Sequence, residues 1–343
     1  MKKSQKSILL TGASGFAGAH MLKHLLENTE YQIFCPVTYT HGGHKNRIPS
    51  LVEAKYSHRF KLIHHDLAEE PDLERHDIGE LACIINFASE SHVDRSISNP
   101  LEFVSNNINL MTNLLEFTRK YVTSSRFIQV STDEVYGALL QNTNNSEWMR
   151  PHLPSNPYSA SKSAQESLAI SYYKTFGIDM TIVNVTNMMG EAQNQEKFIP
   201  KVIRKLLSQE CVDVDTDLNG RIGTRKYVYV GDVASAILTI GNQNRSSDSG
   251  GINDFPEKFH ISGDKEFSNL QIVEYIAEIL GVKPIIKISQ SPRPGYDVSY
   301  ELSSSKIRDL GWKSQESIRK SLENIVHWTL SHPDWLENDH NKR

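Results

Sequence analysis

Two adjacent carboxylates, a tyrosine four residues ahead of a lysine, and a glycine-spaced turn are the groups whose types and spacing suit chemistry. In Tyr158-Ser159-Ala160-Ser161-Lys162 the phenol and the ammonium stand about one helical turn apart, so they share a helix face. An ammonium near a phenol stabilises the phenolate and lowers the tyrosine pKa. Tyr158 is then a base for taking a hydroxyl proton during hydride transfer. Asp133 and Glu134 lie in Ser131-Thr132-Asp133-Glu134-Val135-Tyr136-Gly137, where an apolar run ends. Removing a proton beside a ketone while protonating a departing hydroxyl needs two such groups. Neighbouring carboxyls divide the roles when their surroundings separate their pKa values. A polar turn with solvated acids is the plain alternative.

These groups need elements to hold them. Ile8-Leu9-Leu10 runs into Thr11-Gly12-Ala13-Ser14-Gly15-Phe16-Ala17-Gly18, and a helix from about Phe16 to Glu27 follows. Glycines at 12, 15 and 18 permit a tight turn, close approach of a pyrophosphate and close helix–sheet packing, with helix N-terminal amides facing the phosphates. Further strands are expected at Tyr31–Tyr39, Phe60–Asp66, Ala82–Ala88, Phe127–Thr132 and Met180–Met188. Leu101, Val104, Ile108, Met111 and Leu115 recur at three- and four-residue steps and mark one helical face. Tyr158–Phe176 reads as a helix stopped by Gly177. Strand–helix alternation gives a parallel sheet with helices on both faces. In the second half, helices are expected at Ile199–Gln209, Val233–Ile240, Leu270–Leu280 and Ile318–Leu330. Asn242–Gly251 reads as a surface loop, Ser289–Gly295 as a structured turn and His332–Arg343 as a fraying end.

The glycine turn lacks one expected partner. The second strand of such folds usually ends in an acid that holds the adenosine ribose, yet no acidic residue occurs between Tyr31 and Glu53. Thr38-Tyr39-Thr40-His41-Gly42-Gly43-His44-Lys45-Asn46-Arg47 stands there instead. Its basic residues suit a 2′-phosphate, which makes NADP an alternative to NAD. Otherwise the ribose is held by backbone or hydroxyl groups. Asp66, after the third strand, is set to bond the adenine edge or to cap a helix.

The chain's 343 residues suffice for one large α/β domain or two intimate ones. A net charge of −4 without a basic stripe argues against nucleic-acid or membrane partners. No apolar run reaches the ~18 residues of a membrane span. Met1–Ser7 is too polar for a signal peptide. Cys35, Cys83 and Cys211 form no disulfide or zinc pattern, and His64-His65 lacks a third ligand, so no metal is expected. A reducing cytoplasm fits.

The combination of glycine turn, Thr132 at a strand end, Tyr158 and Lys162 resembles the extended short-chain dehydrogenase/reductase family. Within it, STDEVYG at 131–137 resembles the active-site segment of dTDP-glucose 4,6-dehydratases. So do Ala88–Ile97, Glu196–Pro200, and Arg293-Pro294-Gly295-Tyr296-Asp297 followed by Tyr300 and Leu310-Gly311-Trp312. These matches keep the family's order over about residues 7–330. The resemblance implies roles. Tyr158 would take the C4 hydroxyl proton, Lys162 orient the cofactor ribose, and Thr132 bond the C4 oxygen. Glu134 would remove the C5 proton and Asp133 protonate the leaving C6 hydroxyl. Gly12, Gly15, Phe16, Gly18, Asp66, Leu67, Ala88, Tyr158 and Lys162 would hold the cofactor. Ser91, Asn107, Asn187, Lys197, Arg225, Arg293 and Tyr296 would hold the nucleotide sugar, with arginine forks suited to its diphosphate. His92 reads as a structural hydrogen-bonding group.

The implied fold is a Rossmann-type doubly wound parallel sheet with a smaller interleaved substrate domain. Residues 1–188, with a return segment at about 225–245, would bind the dinucleotide, and 189–343 mainly the nucleotide sugar. The apolar helices near 101–120 and 158–177 resemble those that pair subunits in the family, which implies a homodimer. The chain departs from the family pattern at Met188-Met189-Gly190-Glu191, His260 and Tyr296, all expected near the nucleotide or sugar pocket, and at Leu110, expected away from it. The departures put base and sugar in question. Rival readings are a nucleotide-uronic acid decarboxylase, which does not need Asp133 as an acid, and a 4-epimerase, which needs neither acid. A non-catalytic nucleotide-binding regulator would not require Thr132, Asp133, Glu134, Tyr158 and Lys162 together.

Overall fold

β1 (Ser7–Thr11) is buried at every position, as a strand covered on both faces must be. The glycine turn after it opens α1 (Phe16–Asn28). The computed structural model describes residues 6–40, 42–70, 72–138, 147, 151–243, 254–291, 297–300 and 302–336. The chain continues through β2 (Gln32–Val37), α2 (Arg47–Leu51), β3 (Phe60–His64), β4 (Leu81–Asn86), α3 (Val93–Ser98) and α4 (Pro100–Tyr121). β5 (Arg126–Thr132) ends in a single 3-10 turn, Asp133–Tyr136, and α5 (Pro157–Phe176) leads to β6 (Met180–Val185). Asn156 caps α5 in a reciprocal box with Ser159, and Gly177, at φ 70°, ends it in the left-handed region that favours glycine.

The second half contains β7 (Met188–Met189), α6 (Phe198–Leu207), β8 (Val212–Thr216), β9 (Thr224–Arg225), β10 (Val228–Tyr229) and α7 (Val230–Gly241). After these come β11 (Glu257–Ile261), β12 (Phe267–Ser268), α8 (Asn269–Leu280), β13 (Ile286–Gln290), α9 (Ser305–Asp309) and α10 (Ile318–Ser331).

Seven strands form one parallel sheet in the order β11-β6-β5-β4-β1-β2-β3. Alternation along β1 sends Ile8 and Leu10 to one face and Leu9 to the other. The first face packs on α1 and α7, through Leu22, Leu25, Val233 and Ile237. The second packs on α4, through Met111, Leu114 and Leu115. A separate apolar cluster joins α6, β8, α8 and α10 through Ile203, Val214, Ile276 and Ile325.

All six expected strands and all seven expected helices are present, so the chain has the Rossmann-type α/β fold. After β7 it returns to the sheet twice, with α7 against α1 and with β11 alongside β6. The β11 strand, Glu257-Lys258-Phe259-His260-Ile261, was not anticipated. Its lysine and histidine break the apolar signal, yet Lys258 and His260 are both 1% exposed. The strand order reverses between β1 and β4, and their carboxyl ends open the crevice where such sheets bind ligands. The Ser289–Gly295 and Asn242–Gly251 readings fall largely outside the described residues.

Candidate active site

The cleft at this switch point is lined by the glycine turn, the ends of β2 and β4, and the start of α5. Gly12, Gly15, Phe16, Gly18, Asp66, Leu67, Ala88, Tyr158 and Lys162 all lie along it. The glycines do different work. A Cβ on Gly18 would stand 2.2 Å from the Gly12 oxygen, and one on Gly12, at φ +71°, 2.8 Å from the Phe87 carbonyl carbon. Both are required by the turn's own packing against α1 and β4. A Cβ on Gly15 would meet only the Gly12 oxygen, at 3.0 Å. Gly15 is also the N-cap of α1 and supplies no side-chain cap. The amide end of a thirteen-residue helix, without a side-chain cap and on the cleft wall, fits a dinucleotide pyrophosphate.

At the far end of the cleft, Thr38, Thr40, Gly42 and Gly43 form the wall. Arg47 does not join them. It is 1% exposed, and its guanidinium donates to the carbonyls of Ser14 (2.6 Å), Gly42 (2.8 Å) and Ala192 (2.9 Å) and to Asn194 Oδ1 (2.9 Å). Trp335 covers it at 5.4 Å. Lys45 lies over the Tyr39 ring. The expectation that this loop's basic residues receive a 2′-phosphate therefore fails for Arg47, whose fork is spent on the protein. His41 lies outside the described residues. The wall offers threonine hydroxyls and backbone instead. Asp66 Oδ1 accepts from the Ala68 amide at 2.9 Å at the cleft wall, closing a turn rather than capping a helix.

The second group of residues gathers at the end of β5. Asp133 is 4% exposed, and its Oδ2 is buried without a hydrogen-bond partner among the described residues. Burial, reinforced by the Glu134 charge, pushes its carboxyl up to about 7. Thr132 donates to its Oδ1 at 3.1 Å. Glu134, partly exposed, stands 3.5 Å from Asn156 Nδ2. Tyr158 is 9% exposed, and burial, then the Glu134 charge, hold its phenol well above the ordinary tyrosine value, while a hydrogen bond from Thr132 works the other way. The expected lowering by Lys162 does not occur. The Lys162 ammonium is turned to the Val130 carbonyl (2.9 Å) and Gln165 Oε1 (2.8 Å), and burial pushes it down to about 8. Desolvation outweighs the through-space attraction that one-turn spacing alone suggests.

The expected sugar-side residues divide. Ser91 and Lys197 line the cleft, and Lys197 Nζ donates to the Ser91 carbonyl at 3.0 Å. Asn107 is fully buried and holds scaffold: it bonds the Glu90 amide (2.7 Å), the Glu90 carbonyl (3.0 Å) and Ser161 Oγ (2.9 Å). Arg225 is 8% exposed, lies over Tyr300 at 4.8 Å and donates to the carbonyls of Thr224, Asp297 and Val298. Its charge still acts on Asp133. Asn187 sits before β7, and its carbonyl accepts from Val228 at 3.0 Å. Arg293 and Tyr296 lie outside the described residues. His92 caps α3 by accepting from the Arg95 amide. Among the described residues no group of three or more His, Cys, Asp or Glu is arranged to hold a metal.

One departure is relocated and another gains a definite partner. Leu110, expected away from the pocket, lines the cleft. His260, expected near the nucleotide or sugar pocket, packs against the Asp133–Tyr136 turn, its Nε2 2.9 Å from the Tyr136 hydroxyl. Sequence reasoning also missed Glu90, Gln193 and Asn194 on the cleft wall. The segment holding Gln193 and Asn194 carries no local motif, and only its neighbour Ala192, at φ 56°, marks a special backbone.

Comparison with known proteins extends this local picture to the whole chain. The family model described as GDP-mannose 4,6 dehydratase matches residues 9–325. The dTDP-glucose 4,6-dehydratase 1 of Escherichia coli (strain K12) is 31% identical over 96% of this chain and 94% of its own length. A crystal structure of dTDP-glucose 4,6-dehydratase from Streptomyces venezuelae with NAD bound superposes with a TM-score of 0.84, at 27% identity over 96% of this chain and 99% of that one. The UDP-glucuronic acid 4-epimerase of Bacillus cereus, at 23% identity, a TM-score of 0.83 and coverage of 95% of this chain and 99% of that one, shares the fold. A glycine turn alone aligns a few dozen residues, whereas these matches run from β1 to α10, and the chain belongs to the GDP-mannose 4,6 dehydratase family.

Proposed function

We propose that this protein is a nucleotide-hexose 4,6-dehydratase that uses NAD and converts an NDP-hexose, with dTDP-glucose the leading substrate, to the NDP-4-keto-6-deoxyhexose. One observation carries the reading. Asp133 is a buried carboxyl with a raised pKa and an unpartnered oxygen, next to a partly exposed Glu134. An acid that keeps its proton up to about pH 7 beside a second carboxylate is the pair that water elimination needs. C4 epimerisation uses neither group, and decarboxylation has no hydroxyl to protonate.

The steps follow from the residues. Tyr158 takes the C4 hydroxyl proton, with the Thr132 hydroxyl bonded to the same oxygen. Tyr158 acts as a base only when its phenolate is compensated, and Lys162, on the same face of its helix, gives that compensation only on turning from the Val130 carbonyl and Gln165 Oε1. NAD, when bound, would supply the hydride chemistry, a C4 hydride held and returned to C6, while Glu134 gives its proton back to C5. The C4 ketone acidifies the C5 proton, which Glu134 removes. Asp133 gives its proton to the C6 hydroxyl, which leaves as water. The Gly15 amide end of α1 holds the pyrophosphate, and Thr38 and Thr40 face the adenosine half. Lys197 and Ser91 serve the diphosphate end of the sugar nucleotide, joined by Asn187, Arg293 and Tyr296. Asn107 and Arg225 act there through the backbone they hold.

Residues 1–188, with the return at about 225–245, serve the dinucleotide, and 189–343 mainly the sugar nucleotide. The cleft lining supports this division, since most of it comes from the first part. Leu101, Tyr121 and Phe176, apolar and exposed on α4 and α5, support a homodimer paired through those helices. Three free cysteines support a reducing, cytoplasmic setting. Incubation with a panel of nucleotide-linked hexoses, followed by mass, tests the function. Loss of one water from a single member establishes reaction and substrate together. Loss of carbon dioxide from a uronic acid, or epimerisation without water loss, overturns the acid-pair reading.

A further inference from the structure

Beneath the turn that carries Asp133 and Glu134 lies a buried ion pair that these steps do not use. Glu166 on α5 and Lys258 on β11 are 0% and 1% exposed and 2.8 Å apart. Burial works against the Glu166 charge, but the Lys258 ammonium and His152 more than offset it and hold the carboxyl well below the usual range. A buried pair of this kind rarely adds stability over apolar packing of the same volume. Its contacts point to another use.

The Glu166 carboxylate accepts from Ser131 Oγ (2.5 Å) and from Asn184 Nδ2 (2.7 Å), and the same Asn184 nitrogen donates to the Thr132 carbonyl at 2.9 Å. The strand end just before the acid pair therefore hangs on Glu166. The far end of the turn is gripped as well. The Tyr136 hydroxyl lies 2.9 Å from His260 Nε2 and 3.4 Å from Asn184 Oδ1, and the Lys258 ammonium lies 5.0 Å over its ring. Asp133 and Glu134 sit between the two grips. Glu166 also continues the series Tyr158, Lys162, Glu166 at four-residue steps on α5, so base, lysine and anchor share one helix face.

We infer that Glu166 and Lys258 are positioning residues that hold the Asp133–Glu134 turn in register with Tyr158. This rests on the roles given to Asp133, Glu134 and Tyr158 above. The first proton is taken from α5 and the next two moves are made from the end of β5, on the same sugar. A pair that ties α5, β5 and β11 together at one point fixes the distance between those stations. Misplacement by about 1 Å costs on the order of 10²-fold in rate.

The test is the double variant Glu166→Gln with Lys258→Met, which removes both charges at near-constant volume. Melting temperature, retained cofactor, C4 oxidation (read as cofactor absorbance) and water loss (read by mass) are measured beside the parent enzyme. The expected result is a folded, cofactor-loaded protein that keeps C4 oxidation within severalfold. Its water loss falls about 10²-fold with KM unchanged, and Lys258→Arg alone recovers part of that rate. A purely structural role would lower both steps together through the folded fraction. Equal loss of both steps, or water loss within threefold of the parent, overturns the inference. If the double variant does not fold, Tyr136→Phe decides, since it keeps the ring and removes one grip. A selective fall of about threefold to tenfold in water loss supports the inference, and parental rates overturn it. A parent enzyme that dehydrates no nucleotide hexose refutes the function and is read separately.

Discussion

The two ends of the cleft are built by different means. The cofactor end is shaped by backbone: a turn closed by Gly12 and Gly18, the amide end of α1, and the Ser14 and Gly42 carbonyls tied down by Arg47. The reaction end is shaped by side chains that meet over long separations, Glu166 with Lys258 92 residues apart and Tyr136 with His260 124 apart. Backbone geometry tolerates many side chains but few added Cβ atoms. A side-chain lattice tolerates backbone drift but not loss of a partner. The first end should therefore fail by losing its ligand and the second by losing rate.

The largest effect expected at the reaction end is Glu134→Gln. It keeps shape and removes the C5 base, so water loss should fall on the order of 10³–10⁴-fold while C4 oxidation survives. Step-resolved mass and absorbance measurements check this, and full turnover removes Glu134 from the scheme. Tyr158→Phe should act one step earlier, slowing C4 oxidation by about 10²–10³-fold with nucleotide-sugar affinity little changed. Unchanged cofactor reduction in that variant would move the first base elsewhere.

Gly18→Ala sharpens the contrast from the other end. Its Cβ would stand 2.2 Å from the Gly12 oxygen and 3.0 Å from Ala13 Cα, both backbone atoms. The turn must shift, at a cost of about 3 kcal/mol, and retained cofactor should drop before any intrinsic rate changes. Denaturant melts and the dinucleotide released on unfolding measure the two effects. A variant that keeps its cofactor but turns over slowly would erase the distinction between the ends.

The same contrast explains what the sequence revealed. Strands β1 to β6 and the helices over them carry local apolar periods, and the glycine turn announces itself within eight residues. β11 does not, because its burial of Lys258 and His260 makes sense only once Glu166 and Tyr136 are beside them. Arg47 looked like a ligand for a phosphate because sequence gives its charge and not its four internal acceptors. Lys162 looked like a brake on the Tyr158 pKa because helical spacing gives proximity and not desolvation. Arg225 and Asn107 carry polar groups that read as ligands for a nucleotide, but those groups hold backbone. Residue type and spacing give the kind of chemistry a group can do, whereas the direction a side chain faces depends on partners that arrive from far along the chain.

The smallest predicted effect concerns the charge state on which the function rests. Asp133 binds its proton more tightly folded than unfolded, since its folded value is raised to about 7. Its favourable contribution is complete below the ordinary carboxylate range and is lost as pH rises through about 7. At pH 8 the folded protein carries a buried carboxylate with Glu134 beside it, at a cost that Asp133→Asn removes. The asparagine leaves an amide to be satisfied, which offsets part of the gain. Asp133→Asn should thus be near the parent in stability at pH 5 and about 2 kcal/mol more stable at pH 8, while water loss collapses at both. The parent's water-loss rate should fall above about pH 7 as the acid is lost. Urea melts of both proteins from pH 5 to pH 8 decide it. Parallel stability curves would mean that Asp133 is ionised throughout, and the proton given to the C6 hydroxyl would have to come from another group.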